Sequence, residues 1–112
     1  MRLAILTGMY LLAITPADAG AAWRTPGTEM WGACARALLP MTTTDMAYNA
    51  GLCGGVVNAV AFTKDDICLP EQVTRYQATR VVVRYFETHP EQLHLEGVAL
   101  VATALREAWP CK

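Results

Sequence analysis

Residues 68–111 read CLPEQVTRYQATRVVVRYFETHPEQLHLEGVALVATALREAWPC. The stretch opens on Cys68-Leu69-Pro70 and closes on Trp109-Pro110-Cys111. Thr74, with Gln77 three residues on, has the form of a capping box. In that motif the Thr74 hydroxyl accepts from the Gln77 amide and the Gln77 side chain reaches back to the Thr74 amide. This predicts a helix from Arg75 to about Glu87. Its buried stripe is Ala78, Val81, Val82, Tyr85 and Phe86, with Arg80, Arg84 and Glu87 on the wetter side. The run Val81-Val82-Val83 has reduced intrinsic helicity and would suit a strand, but the cap and the length of the pattern favour a helix. His89-Pro90 ends it, because the residue before a proline is pushed out of the α region. Residues 90–94 then read as one tight turn. A second helix is predicted from about Glu96 to Trp109, with Val98, Val101, Ala102, Leu105 and Ala108 as its core face, and Pro110 stops it. If the two helices fold back on each other, Cys68 meets Cys111.

The upstream half repeats the arrangement. After Pro26-Gly27, Thr28 offers an N-cap hydroxyl and Glu29 complements the helix dipole. A helix from about Glu29 to Leu39 has Trp31, Cys34, Leu38 and neighbouring alanines on its apolar face, and Pro40 ends it. Thr43 or Thr44 caps the next helix, from about Asp45 to Phe62. Gly51, Gly54 and Gly55 lie inside that helix, each costing about 1 kcal/mol relative to alanine. Residues 47, 51, 54 and 58 line up at helical spacing as one stripe of small residues. The stripe predicts close approach of another helix, within the chain or across a dimer; a small bundle needs its own core first, which favours the intrachain reading. The sum is an all-α fold, a small four-helix bundle of two antiparallel helical hairpins.

The cysteines number four: Cys34, Cys53, Cys68 and Cys111. An even count in a small exported chain implies two disulfides, with three connectivities open. The hairpins narrow the choice. Cys68 and Cys111 bracket the second, and Cys34 and Cys53 meet across the first. Export itself is read from the N-terminus. Met1-Arg2, an apolar run from Leu3 to Ile14 and the small-residue pattern Ala17-Asp18-Ala19 form a secretory signal peptide over residues 1–19. A single domain over residues 20–112 remains. Cleavage removes one base, Arg2, and one acid, Asp18, so the net charge stays at −1. A nearly neutral chain without a basic run argues against nucleic acid or an anionic membrane as partner.

Catalytic and metal chemistry find little support. A thiol hydrolase needs a free thiolate beside a base, and bridged cysteines leave no thiolate for His89 or His94 to activate. His89, Glu91 and His94 lack a spacing that would turn them toward one metal ion. Asp65-Asp66 lacks the alternating ligands of a calcium loop. The expectation is a protein that is not an enzyme and has no cofactor or metal. Tyr76, Arg80 and Arg84 are exposed and of types enriched at interfaces; the simpler reading is a solvated helix face.

Taken in order, Cys53-Gly54-Gly55, Cys68-Leu69-Pro70, Val73-Thr74 with Gln77, Tyr85, His89-Pro90-Glu91, Leu93-His94, Ala104-Leu105 and Trp109-Pro110-Cys111 resemble the Rap/Tai family. These are periplasmic immunity proteins of type VI secretion systems. The resemblance runs from about Cys34 to Cys111. It departs from the family at Gly54-Gly55, where an aromatic residue and one glycine are common, and at Trp109, where phenylalanine is common. The resemblance implies a disulfide-bonded, all-helical periplasmic protein, often a homodimer, that inhibits a secreted peptidoglycan amidase by blocking its cleft. An inhibitor of this kind needs a rigid scaffold and a protruding loop. The candidate loops are Thr63, Lys64, Asp65 and Asp66, and the segment carrying His89, Glu91 and His94. The competing expectation is a non-catalytic periplasmic binding or scaffolding protein of the same fold with no cognate toxin.

Overall fold

The structure is a computed structural model that describes residues 24–112; the predicted signal peptide lies outside the described residues. Four α-helices follow in order: α1 Gly27–Ala37, α2 Thr44–Thr63, α3 Arg75–Thr88 and α4 Gly97–Ala108. A 3-10 turn, Pro90–Gln92, joins α3 to α4. There is no strand among the described residues, only two isolated bridges, Pro26 with Glu96 and Ile67 with Pro110. The four-helix reading therefore stands, and so do both disulfides, Cys34–Cys53 and Cys68–Cys111, each with 5.0 Å between Cα atoms.

Local chemistry explains most helix starts. Thr43 caps α2, its side chain accepting from the Met46 amide at 3.1 Å. Thr74 caps α3 by accepting from the Gln77 amide at 3.1 Å. The return bond from Gln77 is not formed, so only half of the capping box exists. Glu96 caps α4 with both carboxylate oxygens, accepting from Val98 N at 3.1 Å and Ala99 N at 2.8 Å. A carboxylate there also faces the positive end of the helix dipole. Glu96 is thus the cap of α4 and not its first helical residue.

α1 starts two residues before the expected Glu29, and Thr28 does not cap it. The cause is tertiary. Pro26 is extended and caps α1 with its carbonyl, which accepts from Glu29 N at 3.1 Å and Met30 N at 3.0 Å. Its position is set by pairing with the segment before α4: Gly27 N donates to Leu95 O at 2.8 Å and Gly97 N to Thr25 O at 2.7 Å. The two helix starts press together through glycine. A Cβ on Gly97 would stand 2.7 Å from Met30 Cβ, and one on Gly27 would stand 2.7 Å from Leu100 Cδ1 and 2.8 Å from Leu93 O.

The small-residue stripe of α2 has no such neighbour, which corrects the expectation of intrachain helix packing there. Space beside Gly51 and Gly55 is open, and Gly54 is approached only by the Arg75 side chain. Asp45 is the one charged residue of α2, so the helix is apolar or neutral on every face. It buries Cys53, Gly54, Val57 and Val60, and leaves Tyr48 and Phe62 at 69% and 86% exposure.

The core sits where the four helices meet. Phe86, Met30, Leu105, Val57, Val82 and Val101 are its largest fully buried side chains, joined by the Cys34–Cys53 bridge. Burial of each such apolar side chain stabilises by about 1.5–3 kcal/mol. Three faces differ in register from the sequence expectation. On α3, Thr79 and Val83 are buried and Val81 is only partly so. On α4, Leu100 and Ala104 take the places expected of Val98 and Ala108, which are exposed. On α1, Met30 is buried, while Trp31 is turned outward. These helices carry apolar residues on several faces, so periodicity alone does not select one.

Candidate functional site

The two candidate loops are mounted at opposite ends of α4. Thr63, Lys64, Asp65 and Asp66 are exposed where α2 ends. Thr63 turns its hydroxyl back to Ala59 O, and the Lys64 amide closes the last turn onto Val60 O. Asp66 forms an ion pair with Arg106 of α4, the one ion pair among the described residues. Beyond it, the Ile67–Pro110 bridge, the bond from Cys68 N to Trp109 O at 2.9 Å, and the Cys68–Cys111 disulfide clamp the chain to the end of α4. The Cys111 sulfur lies 3.3 Å from Asp65 O. A disulfide sulfur has no hydrogen, so this is packing and not a hydrogen bond.

The second loop is fixed by other means. The His89 ring stacks on Tyr85 with centroids 4.0 Å apart. Its Nδ1 lies 2.9 Å from Tyr85 O and 3.0 Å from the Thr88 hydroxyl. A carbonyl can only accept, so Nδ1 carries the hydrogen. Tyr85 donates its hydroxyl to Gln92 at 2.7 Å. Burial, and then the nearby Glu107, hold the Tyr85 phenol above its usual pKa. Thr28 N donates to Leu93 O at 3.0 Å and ties the loop to α1. Glu91 and His94 point outward from this frame. His89, by contrast, is half-buried, its ring engaged in local contacts. At about 1.5 Å per residue, the 12 residues of α4 hold the two loops too far apart to form one small site.

The Arg106 guanidinium, through its hydrogen bond and its charge, holds the Asp66 carboxyl below the usual value of 3.8, against the opposing effect of desolvation. A depressed carboxylate pKa contributes stability above the unfolded value and loses it as pH falls through the folded value. The Arg106→Gln variant is therefore expected to show Asp66 titrating closer to 3.8 in carboxyl-detected NMR. An unchanged titration would show that the pair does not hold the loop.

All four cysteines are bridged, so no thiolate is available as a nucleophile. Among the described residues no three His, Cys, Asp or Glu side chains are grouped to hold a metal ion. What the arrangement offers is a rigid, doubly cross-linked bundle with anchored loops. The sequence matches the family of Rap1a immunity proteins over residues 26–111, a span that includes all four helices and both bridges. The chain belongs to the Rap1a immunity protein family. The match begins at Pro26, which caps α1 and pairs with Glu96, and ends at Cys111, which closes the second bridge. No curated protein sequence and no solved structure is detectably similar. Membership of the Rap1a family carries an immunity-type role, in which the chain acts by binding a cognate effector.

A third surface was singled out in the sequence only as a solvated helix face. Along α3, Tyr76, Arg80, Arg84 and Val81 line an open groove of about 740 Å³ whose far wall is Leu38 at the end of α1. Tyr76 is shared with a second depression containing Leu39 and Met41, so the two form one continuous surface.

Proposed function

We propose that this chain is a periplasmic immunity protein of a type VI secretion system. It binds a secreted peptidoglycan amidase and blocks the active-site cleft. Residues 1–19 direct export and are removed, leaving residues 20–112 as the immunity domain. The observation that carries the reading is that both candidate loops are anchored at each end before any partner arrives. A loop already held by an ion pair, a disulfide and backbone bonds loses little conformational entropy on entering a cleft. The loop of Thr63 to Asp66 and the exposed Glu91 and His94 are the candidate contacts.

The same reading includes a homodimer, supported by the exposed uncharged face of α2. Two copies of α2 laid antiparallel about Gly55 would place Tyr48 opposite Phe62 and Gly51 opposite Ala59. Each contact then recurs by the two-fold axis, as an isologous interface requires. The test is titration of the proposed amidase effector with the exported, oxidised protein, with light scattering of each mixture. Stoichiometric loss of amidase activity and a free mass of two chains are expected. Full activity at excess protein would sink the inhibitor reading, and a monomer at all concentrations would sink the dimer.

A further inference from the structure

We infer that the Cys68–Cys111 bridge is a reversible thiol–disulfide exchange site for a small acidic thiol, and that its state sets the order of the Thr63–Asp66 loop. The inference concerns the chain alone and does not rest on the immunity reading. Three observations support it. The first is access. Cys34 and Cys53 are both at 0% exposure in the core. Cys68 is exposed and Cys111 half-buried. A thiolate breaks a disulfide by reaching one of its sulfurs, and exposed bridges are the labile ones. The folded chain thus offers one bridge to solvent and withholds the other.

The second is the setting of Cys68. It lines a depression of about 350 Å³ together with Phe62, Ile67, Leu69 and Val73. Arg75 is the one charged side chain in that lining, and it is exposed and forms no ion pair. The attacking species is an anion, so the local charge favours its approach. Room for a small molecule, apolar walls and one cation suit a low-molecular-weight thiol that carries carboxylates.

The third is what the bridge holds. Cys68 N donates to Trp109 O, Ile67 bridges to Pro110, and Asp66 pairs with Arg106. The ion pair is exposed on both sides, so it holds the loop only weakly. With the disulfide open, the loop keeps that pair and isolated backbone bonds, which open locally at low free energy. Neither Cys68 nor Cys111 belongs to the core, so the buried bridge and the packing around it remain.

In the first step of the exchange a thiolate attacks Cys68 Sγ and the S–S bond breaks. Cys111 leaves with the electron pair and takes a proton. Its S–H then has an acceptor in place, Asp65 O, 3.3 Å from the sulfur. In the second step another thiolate attacks the sulfur of the first in the mixed disulfide. Cys68 leaves as a thiolate and takes a proton, and the two small thiols depart joined as their disulfide. Two electrons pass to the chain, and that disulfide re-oxidises the pair by the reverse path.

The experiment exposes the exported, oxidised chain to reduced glutathione, quenches samples with an alkylating agent and follows each bridge by peptide mapping. Cys68–Cys111 is expected to open at least about a hundredfold faster than Cys34–Cys53, because the buried pair waits for unfolding, which populates roughly 10⁻³ to 10⁻⁶ of molecules. Glutathione attached to Cys68 should appear on the way. Amide hydrogen exchange is then measured on the half-reduced chain and on Cys68→Ser/Cys111→Ser. In both it should quicken about tenfold or more at Ile67 and Cys68. The Gly97 amide, bonded to Thr25 O at the far end of α4, should keep its protection. Adding glutathione disulfide should close the bridge and restore slow exchange. Opening of both bridges at one rate would overturn the inference. So would unchanged exchange at Cys68 after selective opening, failure of the bridge to re-form, or loss of protection in every helix on opening.

Discussion

Replacing Cys34 and Cys53 together with alanine is expected to lower the melting temperature by roughly 20 °C. The bridge closes a separation of 19 residues. In the chain-entropy account a loop of that length contributes about 3 kcal/mol. Both cysteines are also completely buried between α1 and α2. Their sulfurs fill space that alanine leaves empty, which adds roughly 1–2 kcal/mol. Each 1 kcal/mol moves the midpoint of a domain this small by about 4–8 °C. The Cys68–Cys111 bridge spans 43 residues, so the entropic part is larger, near 4 kcal/mol. Its sulfurs are partly exposed, however, and little packing is lost with them. The two double variants should therefore fall by comparable amounts, the buried pair by an enthalpic share that calorimetry can separate. A drop below about 8 °C for the buried pair would mean that the helices hold α1 on α2 without the bridge.

The second large effect is expected at a single methyl group. Gly97→Ala places a Cβ 2.7 Å from Met30 Cβ and 2.8 Å from Thr25 O. Neither neighbour can withdraw easily: one is the root of a buried side chain and the other is backbone. Thr25 O also accepts from Gly97 N, so a shift breaks the tie between the chain entry and α4. A loss of about 1–3 kcal/mol is expected, the cost of overpacking a fitted site. Gly32→Ala is the control. There the added methyl meets only the Arg36 guanidinium at 3.2 Å, the far end of a flexible side chain. In the middle of α1 the change should stabilise by about 0.5–1 kcal/mol through helix propensity. Chemical denaturation of the three proteins checks the opposite signs. Stabilisation by Gly97→Ala would show that the two helix starts do not touch as described.

These two cases also mark the limit of what the residues disclosed in advance. The helices were legible because their punctuation is local. Thr43 and Thr74 have hydroxyls placed to cap, and Pro40, Pro90 and Pro110 end what precedes them. Both bridges followed from hairpin geometry, since Cys68 and Cys111 flank one hairpin and Cys34 and Cys53 face across the other. The pairing of Gly27 with the segment before Gly97 was not legible. It joins residues far apart in sequence by backbone bonds, which carry no side-chain signature. The glycines that drew attention, Gly51 and Gly55, border open space, while the two that hold helices together sit at helix starts, where glycine is unremarked. The core faces of α3 and α4 were blurred for a different reason. Val81, Val82 and Val83 are equally apolar, and only the neighbouring helices decide that Val82 and Val83 go in.

In the candidate loops Thr63, Lys64, Asp65, Asp66, Glu91 and His94 are exposed, while the ring of His89 is drawn onto Tyr85. Their rigidity was hidden because it depends on partners such as Arg106, Gln92 and Thr28 from other segments. Tyr76, Arg80 and Arg84 looked like ordinary solvated residues on a helix. The surface they share with Leu38, Leu39 and Met41 forms only when the fold brings those residues alongside.

The proposed role is that of an oxidised, pre-ordered bundle that protects the cell wall by binding an amidase. The direct measurement exports the proposed amidase effector to the periplasm of a susceptible bacterium, with and without co-export of this chain. Survival restored by the exported chain, and lost when the same chain lacks its first 19 residues and stays in the reducing cytoplasm, is the predicted result. Lysis at the same rate with and without the exported chain, at matched expression, would contradict it.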